Sequence, residues 1–360
     1  MKTYNFSAGP AVLDNSVLKV ASNCVIDYAQ SGMSVLEMSH RSGPIISLFE
    51  EATKRTIDLL NIPKGYSVLW LQGGASLQFS MVPMNLLPDG CSADYIVTGL
   101  WSLKAVQECN KIGKANVIAS SQDNYFTYIP KEYSQNSDSK YLHITSNNTI
   151  YGTQYKQFPK VRNDMGFLVA DMSSDILSKP INISEFGLIY AGAQKNMGPA
   201  GVTLIIIRDD ILDNGKRDLA TMLDYRTHIK KASMFNTPPV FSVFVINETL
   251  KWIEKIGGLE KIAEINRIKA EKLYHEIKRN NLFICPIAKE DRSLMNVPFT
   301  FSDNSLNDND FLEFCKKRNL YSLKGHRSVG GFRASIYNAM PEDGIDALVN
   351  AMQDFENNLD

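Results

Sequence analysis

The sequence predicts an α/β protein of two domains: a large domain with a mainly parallel sheet between helices, and a smaller α+β domain at its C-terminal end. Three observations lead to this prediction. A chain of 360 residues exceeds what one simple core holds. From about residue 65, short and nearly continuous apolar runs alternate with helical patterns, as in a parallel sheet covered on both faces. Beyond residue 258 the pattern changes to amphipathic helices beside short strands.

The elements of the large domain follow from the apolar runs in chain order. Strands are predicted at 66–71, 93–99, 115–120, 165–173, 186–193 and 201–208. Helices are predicted at 75–87, which contains an internal proline, at 100–113 and at 240–258. The strand segments are short, apolar and bounded by turn residues, which is typical of strands in a buried sheet.

The small domain is predicted to begin where two adjacent glycines interrupt a long helical pattern. Gly257 and Gly258 are suited to end a helix, because glycine readily adopts the left-handed conformation of a C-terminal cap. Beyond them we predict helices at 259–280 and 310–319 and strands at 282–287, 295–302 and 330–338. The domains are therefore expected at 16–257 and 258–360, with residues 1–15 forming an extended arm that packs with the small domain.

Composition and charge exclude several classes of protein. The formal net charge is −1, so the chain carries no general field that would attract nucleic acid or a membrane surface. The apolar run at 202–207 is far too short to span a bilayer, and the first residues contain no apolar signal segment. The five cysteines form no C-x-x-C pair and are expected to be reduced thiols. These features predict a cytoplasmic protein that binds any anionic ligand through local groups.

A lysine and an aspartate are expected to meet at one end of the large sheet. Lys195 follows an apolar strand, in the glycine- and proline-rich stretch AGAQKNMGPAG (191–201), and Asp171 ends the preceding strand. Because the C-terminal ends of parallel strands face one crevice, both side chains are predicted to point into it. Taken singly, they would be an ordinary loop lysine and a strand-end cap. Together they are what pyridoxal phosphate requires: an amine that forms a Schiff base and a carboxylate that keeps the pyridine nitrogen protonated.

Two polar turns are candidates for binding the phosphate of such a cofactor. The stretch QGGAS (72–76) joins a strand to a helix, where backbone N–H groups and the Ser76 hydroxyl are suited to an anion. It matches neither the dinucleotide fingerprint nor the Walker A loop. Asn236 and Thr237, in FNTPP (235–239), offer further donors, although this segment also suits an ordinary helix start.

Three more side chains are candidates for contacts with the cofactor. Trp101 follows a predicted strand, so its indole could stack on a planar ring, although a core position would suit it equally. Thr149 and Gln194 could bond the ring oxygen and the phosphate, respectively. These assignments depend on the lysine and the aspartate, since none of the three residues would indicate a cofactor by itself.

Five stretches of the sequence together resemble the phosphoserine aminotransferases, a branch of the class V aminotransferases. They are NFSAGPA (5–11), MSHRS (38–42), AGAQKNMGPAG (191–201), FNTPP (235–239) and GHRSVGGFRASIYNA (325–339). The resemblance runs from residue 4 to the C-terminus, with the motifs in the family's order. It implies the fold-type I architecture of pyridoxal-phosphate enzymes, a homodimer and no metal.

The resemblance implies a role for each residue of the cofactor site. Lys195 would bind the cofactor covalently and Asp171 would contact its pyridine nitrogen. The ring and phosphate contacts would come from Trp101, Thr149, Ala75, Ser76 and Gln194, joined across the dimer interface by Asn236 and Thr237 of the partner chain. Some branches of the family carry a bulky basic residue in place of Ser76, which leaves open how much of the phosphate contact comes from side chains here.

The implied reaction transfers the amino group of L-glutamate to 3-phosphohydroxypyruvate and gives O-phosphoserine and 2-oxoglutarate, a step of serine biosynthesis. Both substrates are multiply anionic, and arginine binds such groups through two parallel N–H bonds. By resemblance, Arg333 would take the α-carboxylate. Arg41 and His40, with the partner chain's His326 and Arg327, would take the substrate phosphate or the distal carboxylate of glutamate. The sequence leaves open whether 4-phosphohydroxythreonine, of vitamin B6 synthesis, is also a substrate.

Two alternatives compete with this prediction. A cysteine desulfurase or another transaminase would share the fold. A desulfurase needs a nucleophilic cysteine on a mobile loop, but Cys315 lies in a helical pattern and Cys285 follows a strand; a transaminase of small substrates would not need two His-Arg pairs. A pyridoxal-phosphate-binding regulator would need a DNA-binding module, for which there is no room before residue 16 and no basic charge.

Overall fold

The computed structural model of the chain describes residues 2–162, 166–214 and 217–358, and at 213 and 214 only the backbone. Its strands are β1 (Tyr4–Asn5), β2 (Tyr66–Leu71), β3 (Ser92–Val97), β4 (Lys114–Ser120), β5 (Ser139–Thr145), β6 (Phe167–Asp171), β7 (Phe186–Gly192), β8 (Thr203–Arg208), β9 (Phe283–Ile284), β10 (Asn296–Phe301), β11 (Leu320–Tyr321) and β12 (Phe332–Ser335). Its α-helices are α1 (Asn15–Ile26), α2 (Gly43–Leu60), α3 (Gly74–Leu86), α4 (Leu100–Cys109), α5 (Tyr225–Lys230), α6 (Val240–Lys255), α7 (Gly258–Arg279), α8 (Asp308–Lys317) and α9 (Glu342–Asn357). The strand predicted at 165–173 begins outside the described residues, and its remainder contains β6.

One mixed sheet of seven strands, in the order β2-β8-β7-β6-β5-β3-β4, is the centre of the larger part of the molecule. β8 runs antiparallel to both of its neighbours, and the other pairs are parallel. The predicted α/β class with a mainly parallel sheet is therefore confirmed. The register pairs Asp171 with Thr145 on one side and with Tyr190 on the other. The C-terminal ends of β5, β6 and β7 thus share one edge.

Helices cover both faces of this sheet. Along β6, Leu168 and Ala170 belong to a core with residues of α1, α2 and α6, whereas Phe167 and Val169 belong to a second core with residues of α3 and α4. Successive side chains of a strand point to opposite faces, so a strand covered on both faces needs an apolar residue at nearly every position. This explains the continuous apolar runs from which the strands were predicted.

A separate core surrounds a smaller sheet near the C-terminus. The strands β12, β10 and β9 pair antiparallel in that order, and residues of α7, α8 and α9 pack on them. Phenylalanine rings fill much of this core; Phe283, for example, stacks on Phe301 with ring centroids 5.2 Å apart. The smaller α+β part expected at the C-terminal end is present, while the boundaries at residues 15 and 257 stay predictions.

The N-terminal residues connect the smaller core with the end of the large sheet. β1 pairs in parallel with β11, and Phe6 is 0% exposed within the smaller core. Further along, the Ala11 N–H donates to the Gln194 carbonyl oxygen at 2.9 Å. The N-terminal segment therefore reaches the turn that contains Lys195.

Two expectations drawn from the sequence concern the state of the cysteines and the absence of a helix that spans a membrane. The five cysteines are free, and three of them, Cys24, Cys109 and Cys315, are buried. Burial raises the pKa of the Cys315 thiol to about 12, because the thiolate would lose its hydration, so this thiol is unreactive. Among the described residues, no helix combines the length and the apolar character needed to cross a bilayer.

Candidate active site

Asp171 and Lys195 lie at neighbouring strand ends, as the sequence predicted. Asp171 is the last residue of β6, and Lys195 lies in the turn that follows the adjacent strand β7. The turn closes through a hydrogen bond from the Ala193 N–H to the Val202 carbonyl oxygen at 2.9 Å, and another from the Gly198 N–H to the Ala193 carbonyl oxygen at 2.9 Å. A tight turn at the edge of a rigid sheet fixes the origin of the lysine side chain.

The Asp171 carboxylate is buried and held by one neighbour. It is 5% exposed, and its Oδ1 accepts hydrogen bonds from the Ser173 N–H at 2.9 Å and the Ser173 hydroxyl at 2.6 Å. The Ser173 Oγ in turn accepts from the Gly192 N–H at 3.0 Å, which ties it to β7. Burial raises the pKa of Asp171, and Lys195 and Ser173 oppose that effect because they stabilise the charged form.

The Lys195 amine is partly buried in a setting that favours its neutral form. Nζ donates to the Thr149 hydroxyl at 2.7 Å and lies 5.7 Å from the centroid of the Trp101 ring. Burial lowers the pKa of Lys195 to about 8, Asp171 opposes the change and the cationic Arg333 adds to it. About a tenth of this amine is then unprotonated at pH 7, far more than for an ordinary lysine, and the neutral form is the one that a nucleophile or proton carrier requires.

Hydrogen bonds join the segment that carries Trp101 to the segment that carries Thr149. Asn148 donates from Nδ2 to the Thr98 hydroxyl at 2.9 Å and to the Thr153 hydroxyl at 2.9 Å. Gly99 lies so close that a Cβ there would be 2.6 Å from the Asn148 Oδ1. The Trp101 Nε1 is buried and has no hydrogen-bond partner among the described residues, so the indole N–H is available to a ligand.

The predicted phosphate loop opens a 13-residue helix, α3, whose N-cap is Gly73. The N–H groups of its first turn, which includes Ala75 and Ser76, have no partner within the helix and are suited to an anion. The Gln72 Nε2 donates to the Thr237 carbonyl oxygen at 3.3 Å. A cleft of about 330 Å³ is lined in part by Gln72, Gly73 and Asn236, so the two predicted turns are neighbours within one chain, and the predicted action of Asn236 and Thr237 on a partner's phosphate site stays a prediction.

Gln194 and the N-terminal segment form another wall of the site. The Gln194 side chain packs over β7, since a Cβ on Gly192 would lie 2.8 Å from its Oε1. A Cβ on Gly9 would lie 3.3 Å from the Lys195 Cγ, so the N-terminal segment packs directly against the lysine. The Tyr337 hydroxyl donates to the Ala8 carbonyl oxygen at 2.8 Å, which fixes this segment from the smaller sheet.

Arg333 reaches the same site from β12 of the smaller sheet. Its Nη1 donates to the Thr149 carbonyl oxygen at 3.3 Å, while its Nε is buried without a hydrogen-bond partner among the described residues. An unpaired donor on a buried guanidinium is costly unless a ligand meets it. The position agrees with the predicted binding of a substrate carboxylate.

The two His-Arg pairs differ in their surroundings. The pKa of His326 is lowered first by burial and then by the nearby cations Arg333, Arg327 and Lys104. Lys104 lies 4.9 Å from the centroid of the Trp101 ring, so His326 is within electrostatic reach of the site of its own chain, and the predicted role of His326 and Arg327 in a partner's site stays a prediction.

His40 and Arg41 precede α2 in a turn of their own. The Arg41 N–H donates to the Ser39 hydroxyl at 3.2 Å, and the Arg41 side chain is exposed. The His40 Nε2 is buried and has no hydrogen-bond partner among the described residues. The contacts of a single chain therefore bring Asp171, Thr149, Trp101 and Arg333 to Lys195, whereas the part of His40 and Arg41 stays a prediction.

Several residues of the site were not predicted from the sequence. Ser173 orients Asp171, and its signal was a hydroxyl two residues after the carboxylate, a spacing that favours side-chain to backbone turns. Gly9 and Tyr337 lie in the motifs NFSAGPA and GHRSVGGFRASIYNA, but the approach of Gly9 to Lys195 and the bond from Tyr337 to Ala8 depend on contacts between distant parts of the chain.

Comparisons with known proteins identify the class. A model of the aminotransferase class-V family matches residues 3–348. A phosphoserine aminotransferase of Bacillus cereus is 51% identical over 357 residues, which cover 99% of this chain and 98% of that relative.

Solved structures agree in fold and in sequence. A phosphoserine aminotransferase from Bacillus circulans subsp. alkalophilus is 44% identical with a TM-score of 0.96, and the match covers 100% of this chain and 99% of that one. A phosphoserine aminotransferase from Trichomonas vaginalis, described as bound to pyridoxal phosphate, is 41% identical with a TM-score of 0.93, covering 98% and 100%. The chain belongs to the class V aminotransferases, and within them to the phosphoserine aminotransferases.

Proposed function

We propose that this chain transfers the amino group of L-glutamate to 3-phosphohydroxypyruvate, with pyridoxal 5′-phosphate as cofactor, and releases O-phospho-L-serine and 2-oxoglutarate. One observation carries this proposal: the Lys195 Nζ lies 2.7 Å from the Thr149 hydroxyl, under the opposing charges of Asp171 and Arg333. The full-length likeness to phosphoserine aminotransferases supports it.

The side chains of the site fit the cofactor in chemistry. A buried carboxylate suits a pyridinium nitrogen, and an amine of lowered pKa suits an aldehyde. An indole whose N–H has no partner among the described residues suits an aromatic ring, and the N-terminus of a helix suits a phosphate. Lys195, Asp171, Thr149 and Trp101 would hold the ring. The phosphate would be held by Ala75, Ser76 and Gln194, joined by Asn236 and Thr237 of a second chain.

Asp171, Lys195 and Thr149 have different roles in the reaction. When bound, the cofactor supplies the electron sink that stabilises negative charge at the substrate α-carbon. The Asp171 carboxylate, held by Ser173, keeps a proton on the ring nitrogen. The neutral Lys195 amine takes a proton from the α-carbon of the amino donor and, in the other half of the reaction, gives a proton to the α-carbon of the acceptor, and Thr149 orients that amine before reaction.

Cationic groups select the substrates. Arg333 takes the α-carboxylate, because its buried Nε has no hydrogen-bond partner among the described residues and its Nη1 binds the carbonyl oxygen of Thr149, whose hydroxyl contacts Lys195. Arg41 and His40, with the partner's His326 and the partner's Arg327, take the substrate phosphate or the distal carboxylate of glutamate. We therefore propose a homodimer with shared sites. The five free cysteines agree with work in the reducing cytoplasm.

The reverse reaction tests this function. Purified protein loaded with pyridoxal phosphate is given phosphoserine or serine as amino donor and 2-oxoglutarate as acceptor, and glutamate formation is measured with a coupled dehydrogenase. We expect a large preference for phosphoserine in kcat/KM, since charge-assisted hydrogen bonds to its phosphate are worth about 1.5–3 kcal/mol each. Equal use of both donors would remove the phosphate-specific pocket, and no turnover of either would refute the transaminase.

A further inference from the structure

Two asparagines of the family motifs have no part in the site as described, yet they contact each other. Asn196 follows Lys195 in the stretch AGAQKNMGPAG, and Asn338 lies beyond Arg333 in GHRSVGGFRASIYNA. The Asn338 N–H donates to the Asn196 Oδ1 at 2.9 Å. Both side chains are buried, with 5% and 4% exposed. One hydrogen bond thus joins the lysine turn of the large sheet to the segment that follows the arginine strand.

Asn338 forms hydrogen bonds through its backbone N–H and through both polar atoms of its side chain. Its Nδ2 donates to the Leu177 carbonyl oxygen at 2.8 Å, and its Oδ1 accepts from the Asn266 Nδ2 at 2.8 Å. On the other side of the bond, the Asn196 Nδ2 donates to the Ile176 carbonyl oxygen at 2.6 Å. Because these polar groups are buried, a shift of Asn196 or Asn338 would leave at least one of them without its hydrogen-bond partner.

Lys269 of α7 forms hydrogen bonds with the backbone of the same segment. Its side chain is 0% exposed, and Nζ donates to the carbonyl oxygens of Tyr337 at 2.7 Å, Ile336 at 3.0 Å and Met340 at 3.0 Å. These hydrogen bonds therefore hold the backbone on both sides of Asn338, whose N–H contacts Asn196. A series of hydrogen bonds thus runs from α7 of the smaller part to the lysine turn of the larger part.

We propose that Asn196 and Asn338 are positioning residues that fix the Lys195 amine relative to the Arg333 guanidinium. The substrate α-carbon and its carboxylate belong to one small molecule, so the groups that act on them must keep a set distance. A displacement of about 1 Å between such groups is enough to cost on the order of 100-fold in rate. This inference rests on the proposed function, because it concerns how the aminotransferase site is held.

The test compares the holoenzyme with Asn196→Ala, Asn338→Ala and the double variant. For each we would measure kcat and KM for glutamate per cofactor-loaded site, and the pH at which the visible absorbance of the bound cofactor changes. We expect kcat/KM to fall about tenfold or more, with KM for glutamate raised. The inflection pH should shift, because Lys195 moves relative to Asp171 and Arg333. The double variant should be little worse than Asn196→Ala, since Asn196→Ala removes the acceptor of the link and Asn338→Ala removes only the side-chain bonds that hold its donor N–H in place.

Asn247→Ala is the matched control. Asn247 is also buried, at 1% exposed, and its Nδ2 donates to the Glu51 Oε2 at 2.9 Å, which joins α6 to α2. This variant should lose stability while kcat/KM and the inflection pH stay at the wild-type values. If Asn338→Ala does not fold, Asn196→Ala tests the inference by itself, because it removes the acceptor of the link and keeps Asn338 with its own side-chain bonds.

Asn196 and Asn338 variants that lose stability like the control but keep the wild-type KM and inflection pH would overturn the inference. Failure of the proposed function would be seen separately. In that case the wild-type holoenzyme would not transaminate, whereas the absorbance titration would still report whether the two asparagines set the environment of Lys195.

Discussion

Burial and nearby charges of both signs decide how much of the Lys195 amine is neutral. Burial lowers the pKa of this amine to about 8, Asp171 raises it and Arg333 lowers it further. The two charges belong to different sheets: Asp171 ends β6 and Arg333 lies on β12. The reactivity of the lysine is thus set by the way the two parts of the chain meet.

This balance predicts opposite effects of two substitutions in the cofactor-free enzyme. The neutral amine attacks the aldehyde, so the rate of pyridoxal phosphate uptake should rise with pH and level off above about pH 8 in the wild type. Asp171→Asn removes a charge that raises the pKa, so its inflection should move to lower pH. Arg333→Gln removes a charge that lowers the pKa, so its inflection should move to higher pH. Stopped-flow absorbance over a range of pH measures both shifts, and shifts of the same sign would contradict this account of Lys195.

Removal of the amine itself should abolish transamination. Lys195→Ala leaves no group to move the α-proton, and general acid–base catalysis by a side chain is worth about 10²–10⁴-fold in rate. Lys156→Ala is the control, because Lys156 is an exposed lysine whose Nζ donates to the Arg292 carbonyl oxygen, away from the site. The coupled assay should show loss of activity in the first variant and retention in the second. Near-wild-type activity in Lys195→Ala would rule out its catalytic role.

Among the elements, the N-terminus of α4 shows how closely the site is packed. The Ser102 hydroxyl accepts from the Gly99 N–H at 3.2 Å and donates to the Gly99 carbonyl oxygen at 2.8 Å. Asn148 lies against Gly99 and is held by its own hydrogen bonds to Thr98 and Thr153. The start of α4, and with it Trp101, therefore has little freedom to move.

Gly99→Ala should be destabilising because the new Cβ would lie 2.6 Å from the Asn148 Oδ1. Overpacking of this kind costs about 1–3 kcal/mol, and displacement of Trp101 should weaken cofactor binding as well. Thermal unfolding and the Kd for pyridoxal phosphate measure the two effects. Gly43→Ala, in the first turn of α2 with no atom within 4 Å of the added Cβ, should be neutral or slightly stabilising. Equal Tm values for the two variants would show that the contact at Gly99 relaxes freely.

Most elements of the large sheet were predictable because burial on both faces gives continuous apolar runs. β2, predicted at 66–71, is Tyr66–Leu71, and α3, predicted at 75–87, is Gly74–Leu86. β5 was not predicted, because SKYLHIT contains polar residues that become acceptable only through distant partners. His143 is one of them: its Nε2 is 2.8 Å from the Tyr190 hydroxyl on β7. The helices α1, α2 and α9 were also missed, since their apolar faces recur at helical spacing without any continuous run.

Over the whole molecule, the site is assembled from three separate parts of the chain. The large sheet supplies Asp171 and Lys195, the smaller sheet supplies Arg333, and the N-terminal segment brings Gly9 to the lysine. The kinds of residue were predictable from motifs, because each chemical task limits the side chains that can perform it. Their mutual contacts were not, since the hydrogen bond from Arg333 to Thr149 joins residues 184 positions apart.

A homodimer with shared sites predicts that two inactive chains can restore one active site. Chains with Lys195→Ala and chains with Arg327→Ala, carrying different affinity tags, are expressed together and the mixed dimer is isolated. If Arg327 acts across the interface, one of the two sites in this dimer has both residues, and activity should return to about half of the wild-type value. The matched control places both substitutions in one chain and pairs it with a wild-type chain. That dimer should be nearly inactive, because its only intact lysine faces the altered arginine. The reverse pattern, with activity in the control and none in the first dimer, would show that Arg327 serves the site of its own chain.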